Sequence, residues 1–173
     1  NAISGPPPPR FVSNVLLNGV GSPNVSATTS FPGGTYTLTG FGATSYTVTP
    51  TKTDGVNGIS SFDAAKIAQH AAGIAILTGN QLIVADTSGN GSATSFDAAQ
   101  IARYAAAIPG VGSTGTWRFI PGNRSYASIT SNVTGEDFIA LLMGEVSGNW
   151  VNQVVTSTNP ANATRKINKI MDF

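Results

Sequence analysis

Asp86, Ser88, Asn90, Thr94 and Asp97 stand at the first, third, fifth, ninth and twelfth places of the stretch DTSGNGSATSFD, with Gly91 at the sixth. Side chains of this kind offer oxygen and little else, and the chemistry they suit is the holding of a hard cation. Calcium (Ca2+) takes six to eight oxygen ligands and needs a tight turn so that one short loop can surround it. Asp86, Ser88 and Asn90 would supply side-chain oxygens, Ser92 its carbonyl, Thr94 a contact through water, and Asp97 the closing carboxylate. Gly91 permits the sharp bend. Asp97 also falls at the start of a helix, where a carboxylate favours the helix dipole. The plainer alternative is an Asx-rich turn whose aspartate caps that helix.

Other site chemistries find little support. The chain has one histidine, His70, and no cysteine, so a thiolate nucleophile, a zinc–thiolate centre and disulfides are excluded. A hydrolytic triad needs a base within reach of a nucleophile, and His70 lies in an alanine-rich helix at the place where the second copy of a repeat has Tyr104. Its expected role is packing or surface. Asp63, Asp86 and Asp97 belong to loops, Glu136 and Asp137 precede an apolar strand, and GVGSTG follows a helix where a phosphate-binding loop would precede one. The chain therefore reads as no enzyme. With 10% charged residues and a formal net charge of +1, it carries neither a nucleic-acid footprint nor a polybasic membrane patch. No signal peptide is recognisable and no apolar run of about 20 residues occurs, so a soluble chain already trimmed at its N-terminus, with no membrane span, is expected. Abundant Gly, Ser, Thr and Asn favour turns and strands and are frequent in exported proteins. An extracellular or cell-surface location follows as the expectation.

The elements that position the loop come from periodicity. SFDAAKIAQHAAGI from Ser61 and SFDAAQIARYAAAI from Ser95 are copies with a period of 34 (97 − 63). Phe, Ile and Ala recur in them at helical spacing, which predicts two amphipathic helices able to pack closely at alanine. Gly73 and Pro109 are the expected stops. Around this pair lie short β-type runs: FVSNVLL, NVSATTS, GTYTLTG and SYTVTP before it, and TWRFI, SYASITS, EDFIALLMG and NWVNQVV after it. Tyr36, Leu38, Tyr46 and Val48 alternate with Thr, so one face is core and the other water. The expected fold is mainly β with an inserted helical pair. Its parts are a Pro-rich arm (1–10), a first β-part (11–50), a calcium-binding helix pair (51–110), returning strands (111–155) and a C-terminal tail (156–173).

The two loop–helix units, TDGVNGISSFDAAKIAQHAAG and DTSGNGSATSFDAAQIARYAAA, resemble the duplicated calcium-binding segment of type I dockerins, where an EF-hand-like loop leads into one helix. The resemblance implies a second, weaker site in the first copy, from Asp54, Asn57, Ser60 and Asp63. That copy departs from the family: with Asn57-Gly58 set against Asn90-Gly91 it is one residue short, and its first place lacks an acid. EVSGNW repeats the order of Asp86, Ser88 and Asn90 in Glu145, Ser147 and Asn149. The simpler reading is a turn before a strand; the other is half a loop that lends ligands to the incomplete first site. YTLTGFGATSYTVTP is similar to the signature of carboxypeptidase-regulatory-like (transthyretin- or Cna-B-like) β-sandwich modules, with Ser45 where that family has glycine. Together the resemblances imply an antiparallel β-sandwich joined to a dockerin-like duplication, as in exported bacterial surface proteins.

The resemblance also implies an opening strand near AISG, yet here AISG runs into PPPP, which favours a stiff arm and excludes a ladder strand. Beyond Trp150 there is a surplus, in which Ile167, Met171 and Phe173 share one face if extended, with Lys169 the exception. Deficit and surplus point to a self-assembling subunit, copies joining head to tail by strand donation into a fibre or surface filament. A local helix or frayed terminus is the alternative for the tail. The other function class is a recognition module, docking a cohesin-type partner or carbohydrate. Against docking, Phe62 and Phe96, at places where dockerins carry partner contacts, are expected to pack internally. Asn24, Asn123, Asn132 and Asn162 are candidate glycan acceptors, and Asn90 is better used as a ligand.

Overall fold

The β-branched and aromatic runs form two antiparallel sheets around the helices in a computed structural model, which describes residues 10–153. β1 (Leu16–Val20) pairs with β2 (Val25–Thr28) and β3 (Tyr46–Thr51), and β3 pairs with β5 (Arg124–Tyr126), giving the order β2-β1-β3-β5. β4 (Trp117–Ile120) and β6 (Ile139–Leu142) make a second sheet of two strands. Between β3 and β4 come α1 (Ser61–Ala71), α2 (Asn80–Ala85) and α3 (Ser95–Ala105). The chain is thus an antiparallel β protein with helices inserted, within the expected 51–110. The six-residue α2 was not expected, because so short a run has no readable period.

The alternation read in YTVT holds: Tyr46 and Val48 are buried with Leu17 and Val15, and Phe119, Tyr126 and Phe138 pack against that cluster. A second core joins the helices to β6, through Ile67, Ala64, Ile101 and Ala98 with Leu141 and Val146. Ile67 and Ile101 hold equivalent places in the two copies and are both 0% exposed, each burial contributing roughly 1.5–3 kcal/mol. Gly73 adopts a left-handed φ of 70° just past α1, as its place after the last helical residue requires.

Two predicted strands do not ladder. Residues 36–41 (YTLTGF) and 127–138 make no backbone–backbone hydrogen bond to any described residue, although Tyr36, Leu38 and Phe138 still pack on the β core. NWVNQVV forms no strand over its described residues 149–153. The two unladdered segments meet through side chains alone. Tyr36 donates its hydroxyl to the Glu136 carbonyl at 2.5 Å, Tyr126 donates to the Glu136 carboxylate at 2.7 Å, and Arg124 pairs with that carboxylate at 3.0 Å.

Burial, then the hydrogen bond and charge of Glu136, push the Tyr126 phenol up to about 12. A folded pKa above the unfolded value means that this stabilisation is complete below about pH 10. It is lost as pH rises through the folded value. Ultraviolet difference titration of the wild type against Tyr126→Phe should therefore show a phenolate midpoint near 12, and Glu136→Gln should bring it down towards 10.

Candidate metal centre

In the second repeat the loop 86–97 folds around its own carboxylates. Asp86 Oδ1 accepts from the Ser88 hydroxyl at 3.3 Å and the Asn90 amide at 3.0 Å, and Oδ2 accepts from the Gly91 amide at 2.8 Å. Asn90 Oδ1 accepts from the Ser92 amide at 2.9 Å. Gly91 has φ of 88°, the bend its place in the loop called for. Asp97 faces two ways. Oδ2 takes the Thr94 amide at 2.9 Å and hydroxyl at 2.7 Å, completing a capping box on α3, while Oδ1 takes the Ser88 amide at 2.8 Å. The helix-capping role and the loop-closing role therefore coexist in one side chain. Burial would raise the Asp97 pKa, but the bonds from Thr94 and Ser88 outweigh it and hold the carboxyl below its ordinary value.

The first repeat builds a similar arrangement from two distant pieces. Glu145 Oε1 accepts from the Ser147 hydroxyl at 2.9 Å and the Asn149 amide at 2.9 Å, as Asp86 does from Ser88 and Asn90. Asp63 Oδ1 accepts from the Ser147 amide at 2.9 Å and the Val146 amide at 3.0 Å, as Asp97 does from Ser88. Asp63 Oδ2 meets the Ser60 amide at 2.9 Å and hydroxyl at 3.1 Å, a capping box on α1 that matches Thr94 and Asp97. Counting back from the acid with the repeat of 34 (97 − 63) puts Ser60 at the place of Thr94, Gly58 at that of Ser92 and Asn57 at that of Gly91. The residue missing from the first copy is then no gap: places one to five are supplied by 145–149. EVSGNW is thus tied to the cap of α1 through Asp63 and is not an isolated turn.

Residues 54–57 clamp the two pieces together. Asn57 exchanges hydrogen bonds with the Val151 backbone at 2.9 and 3.0 Å, the Trp150 indole donates to the Gly55 carbonyl at 2.9 Å, and the Trp117 indole donates to the Asp54 carbonyl at 2.9 Å. The Trp117 and Trp150 rings meet edge to face at 5.5 Å. Gly58 has φ of 85°, and a Cβ there would collide with the Asn149 side chain and the Trp150 backbone.

Of the four residues expected to form the weaker site, Ser60 and Asp63 adjoin the half loop. Asp54 does not: its carboxylate pairs with Lys52 at 2.5 Å. The Asn57 side chain is spent on the Val151 and Gly55 backbone. This corrects the contiguous reading of residues 54–63. A second correction concerns Phe62 and Phe96, which stand 60% exposed and not inside; each lies in the first turn of its helix. His70 accepts from the Leu77 amide through Nδ1 at 3.1 Å, a packing role. Asn24, Asn123 and Asn132 are exposed. Ile167, Met171, Phe173 and Asn162 lie outside the described residues.

Both clusters offer oxygen alone, the donor set of a hard cation. Asp63 and Asp97 are each 0% exposed, and among the described residues neither pairs with a Lys, Arg or His. Neither cluster brings three acids together, so each would hold a cation with two carboxylates and neutral oxygens. The chain matches no protein-family model, and neither a curated protein nor a solved structure is similar to it.

Proposed function

We propose that the chain is a non-enzymatic, calcium-stabilised structural subunit of an extracellular or cell-surface assembly, in which copies join head to tail into a fibre. The observation that carries this reading is the pair of matched oxygen clusters, each closed by a fully buried aspartate without a cationic partner among the described residues. A buried carboxylate is costly unless its charge is compensated; amide and hydroxyl donors around Asp63 and Asp97 do part of this, and a calcium ion taking the place of one donor at each would complete it. One ion would sit with Asp86, Ser88, Asn90, Ser92, Thr94 and Asp97. The other would sit with Glu145, Ser147, Asn149, the Gly58 carbonyl and Asp63. In this reading the helices are a dockerin-like duplication and the two sheets are the halves of a carboxypeptidase-regulatory-like sandwich short of one strand. Both ions serve structure, fixing the helical pair to the β-part.

The unladdered segments 36–41 and 127–138 support assembly, since edges of this kind invite pairing with another chain. Exposed Asn24, Asn123 and Asn132 suit glycans. Negative-stain microscopy of the full chain in millimolar calcium should show filaments. Uniform monomers at every calcium concentration would defeat the reading. One observation favours the alternative of a recognition module: Phe62 and Phe96, equivalent in the two copies, are both solvent-facing. A cohesin-type partner using them would be lost on Phe62→Ser with Phe96→Ser, whereas filaments would persist.

A further inference from the structure

Residues 36–41 and 127–138 have strand sequences but no strand, and they flank one groove of about 1490 Å³. Tyr36, Leu38, Val133 and Phe138 line it together with Leu17 and Phe119 from the two sheets. In YTLTGF the apolar residues are half-buried while Thr37 and Thr39 are exposed, the alternation of a strand that packs on one face. What it lacks is a neighbour for its amides and carbonyls. Backbone polar groups in such a segment pair with a ladder or with water, and here no ladder is supplied by residues 10–153. A single extended segment laid in the groove would pair with the backbone on either side and cover the apolar floor.

We infer that the groove is a β-strand acceptor and that its occupant is the C-terminal segment 160–173 of a second copy. The inference rests on the head-to-tail reading above and names both partners of that contact. The length fits: 36–41 is about 20 Å of extended chain and Ile167 to Phe173 about 23 Å. The pattern fits, with Ile167, Met171 and Phe173 on one face and Lys169 between them. The charge fits, because Arg165, Lys166 and Lys169 would meet a groove whose lining includes Asp137. The reach fits too. Asn152 is anchored by the Ser13 hydroxyl at 2.7 Å, and the 20 residues after Gln153 (173 − 153) span up to about 66 Å. The N-terminal residues 1–9 offer only Ala2 and Ile3 as apolar contacts among four prolines.

Two full-length variants test it. Thr37→Pro removes an amide that a donor would use and that makes no hydrogen bond to any described residue of the subunit, so the acceptor is disabled at little cost to the described fold. Met171→Asp with Phe173→Asp disables the donor. Each variant alone should be monomeric with a melting temperature close to that of unassembled wild type. Mixed, they should form 1:1 dimers and stop there, read by native mass spectrometry, because one tail and one groove remain between them. If wild type forms fibres and either variant still does, the groove or the tail is not the contact, and the inference falls while the assembly reading stands. Mixed variants that stay monomeric overturn it as well. Wild type that never assembles, with its tail cross-linked into its own groove, overturns both.

Discussion

Removing calcium from the loaded protein should lower its melting temperature by about 10–20 °C. Each ion that binds only the folded chain contributes about 2.7 kcal/mol when free calcium is a hundredfold above the dissociation constant. Two sites give about 5 kcal/mol, and in a chain of this size each kcal/mol moves the midpoint by about 2–4 °C. The effect is this large because Asp63 and Asp97 are buried acids beside the core of the helical pair, so losing the cation leaves each charge to its amide and hydroxyl donors alone. Differential scanning calorimetry with excess chelator, and with magnesium returned in place of calcium, measures it. Magnesium should restore little, since these loops give two carboxylates and a larger, irregular set of neutral oxygens, and magnesium demands near-octahedral geometry. A sample shown to contain calcium that melts unchanged after chelation would reduce both clusters to capped turns.

The contiguous loop was legible in the sequence because its oxygen-bearing residues lie within twelve places and its helix carries the repeat. Helix lengths, caps and the close alanine contact follow from the same local signals: Ser60 and Asp63, then Thr94 and Asp97, sit three apart at the start of each apolar period. The second cluster was not legible as a site. Its acids, Asp63 and Glu145, converge on Ser147 only because the helices and the end of β6 share one core, and no local spacing reports an approach made across 82 residues (145 − 63). The echo in EVSGNW was visible, but a five-residue match without a helix behind it describes a common turn equally well. Phe62 and Phe96 misled in the other direction. Each precedes the capping aspartate, and the buried face of its helix is made by the residues after it, Asp63, Ala64 and Ile67 or Asp97, Ala98 and Ile101, so both rings stay outside. Strand prediction failed at 36–41 for a different reason: the alternation is real and the packing face is correct, but a ladder requires a partner, and the described chain holds none.

Glu145→Gln should remove one of two bound calcium ions and about 2.7 kcal/mol of calcium-dependent stability, whereas Asp54→Ala should remove neither. The substitution keeps an acceptor for the Ser147 hydroxyl and the Asn149 amide, so the half loop retains its shape and loses mainly its charge. Titration calorimetry, or native mass spectrometry of the loaded protein, reads the stoichiometry directly. Because the ligands of this site are far apart in the chain, the unfolded state cannot gather them without closing a long loop. The contiguous loop can retain weak affinity when unfolded, which subtracts from its stabilisation. At equal affinity the split site should therefore stabilise more, and its ion should leave in the same transition as the fold. A double-mutant cycle separates the pairs: Glu145→Gln with Asp63→Asn act on one ion and should be strongly non-additive, while Glu145→Gln with Asp97→Asn act on two and should add. Two ions still bound to Glu145→Gln, together with one lost from Asp54→Ala, would return the second site to the contiguous stretch 54–63 and leave the match between Glu145 and Asp86 without a role.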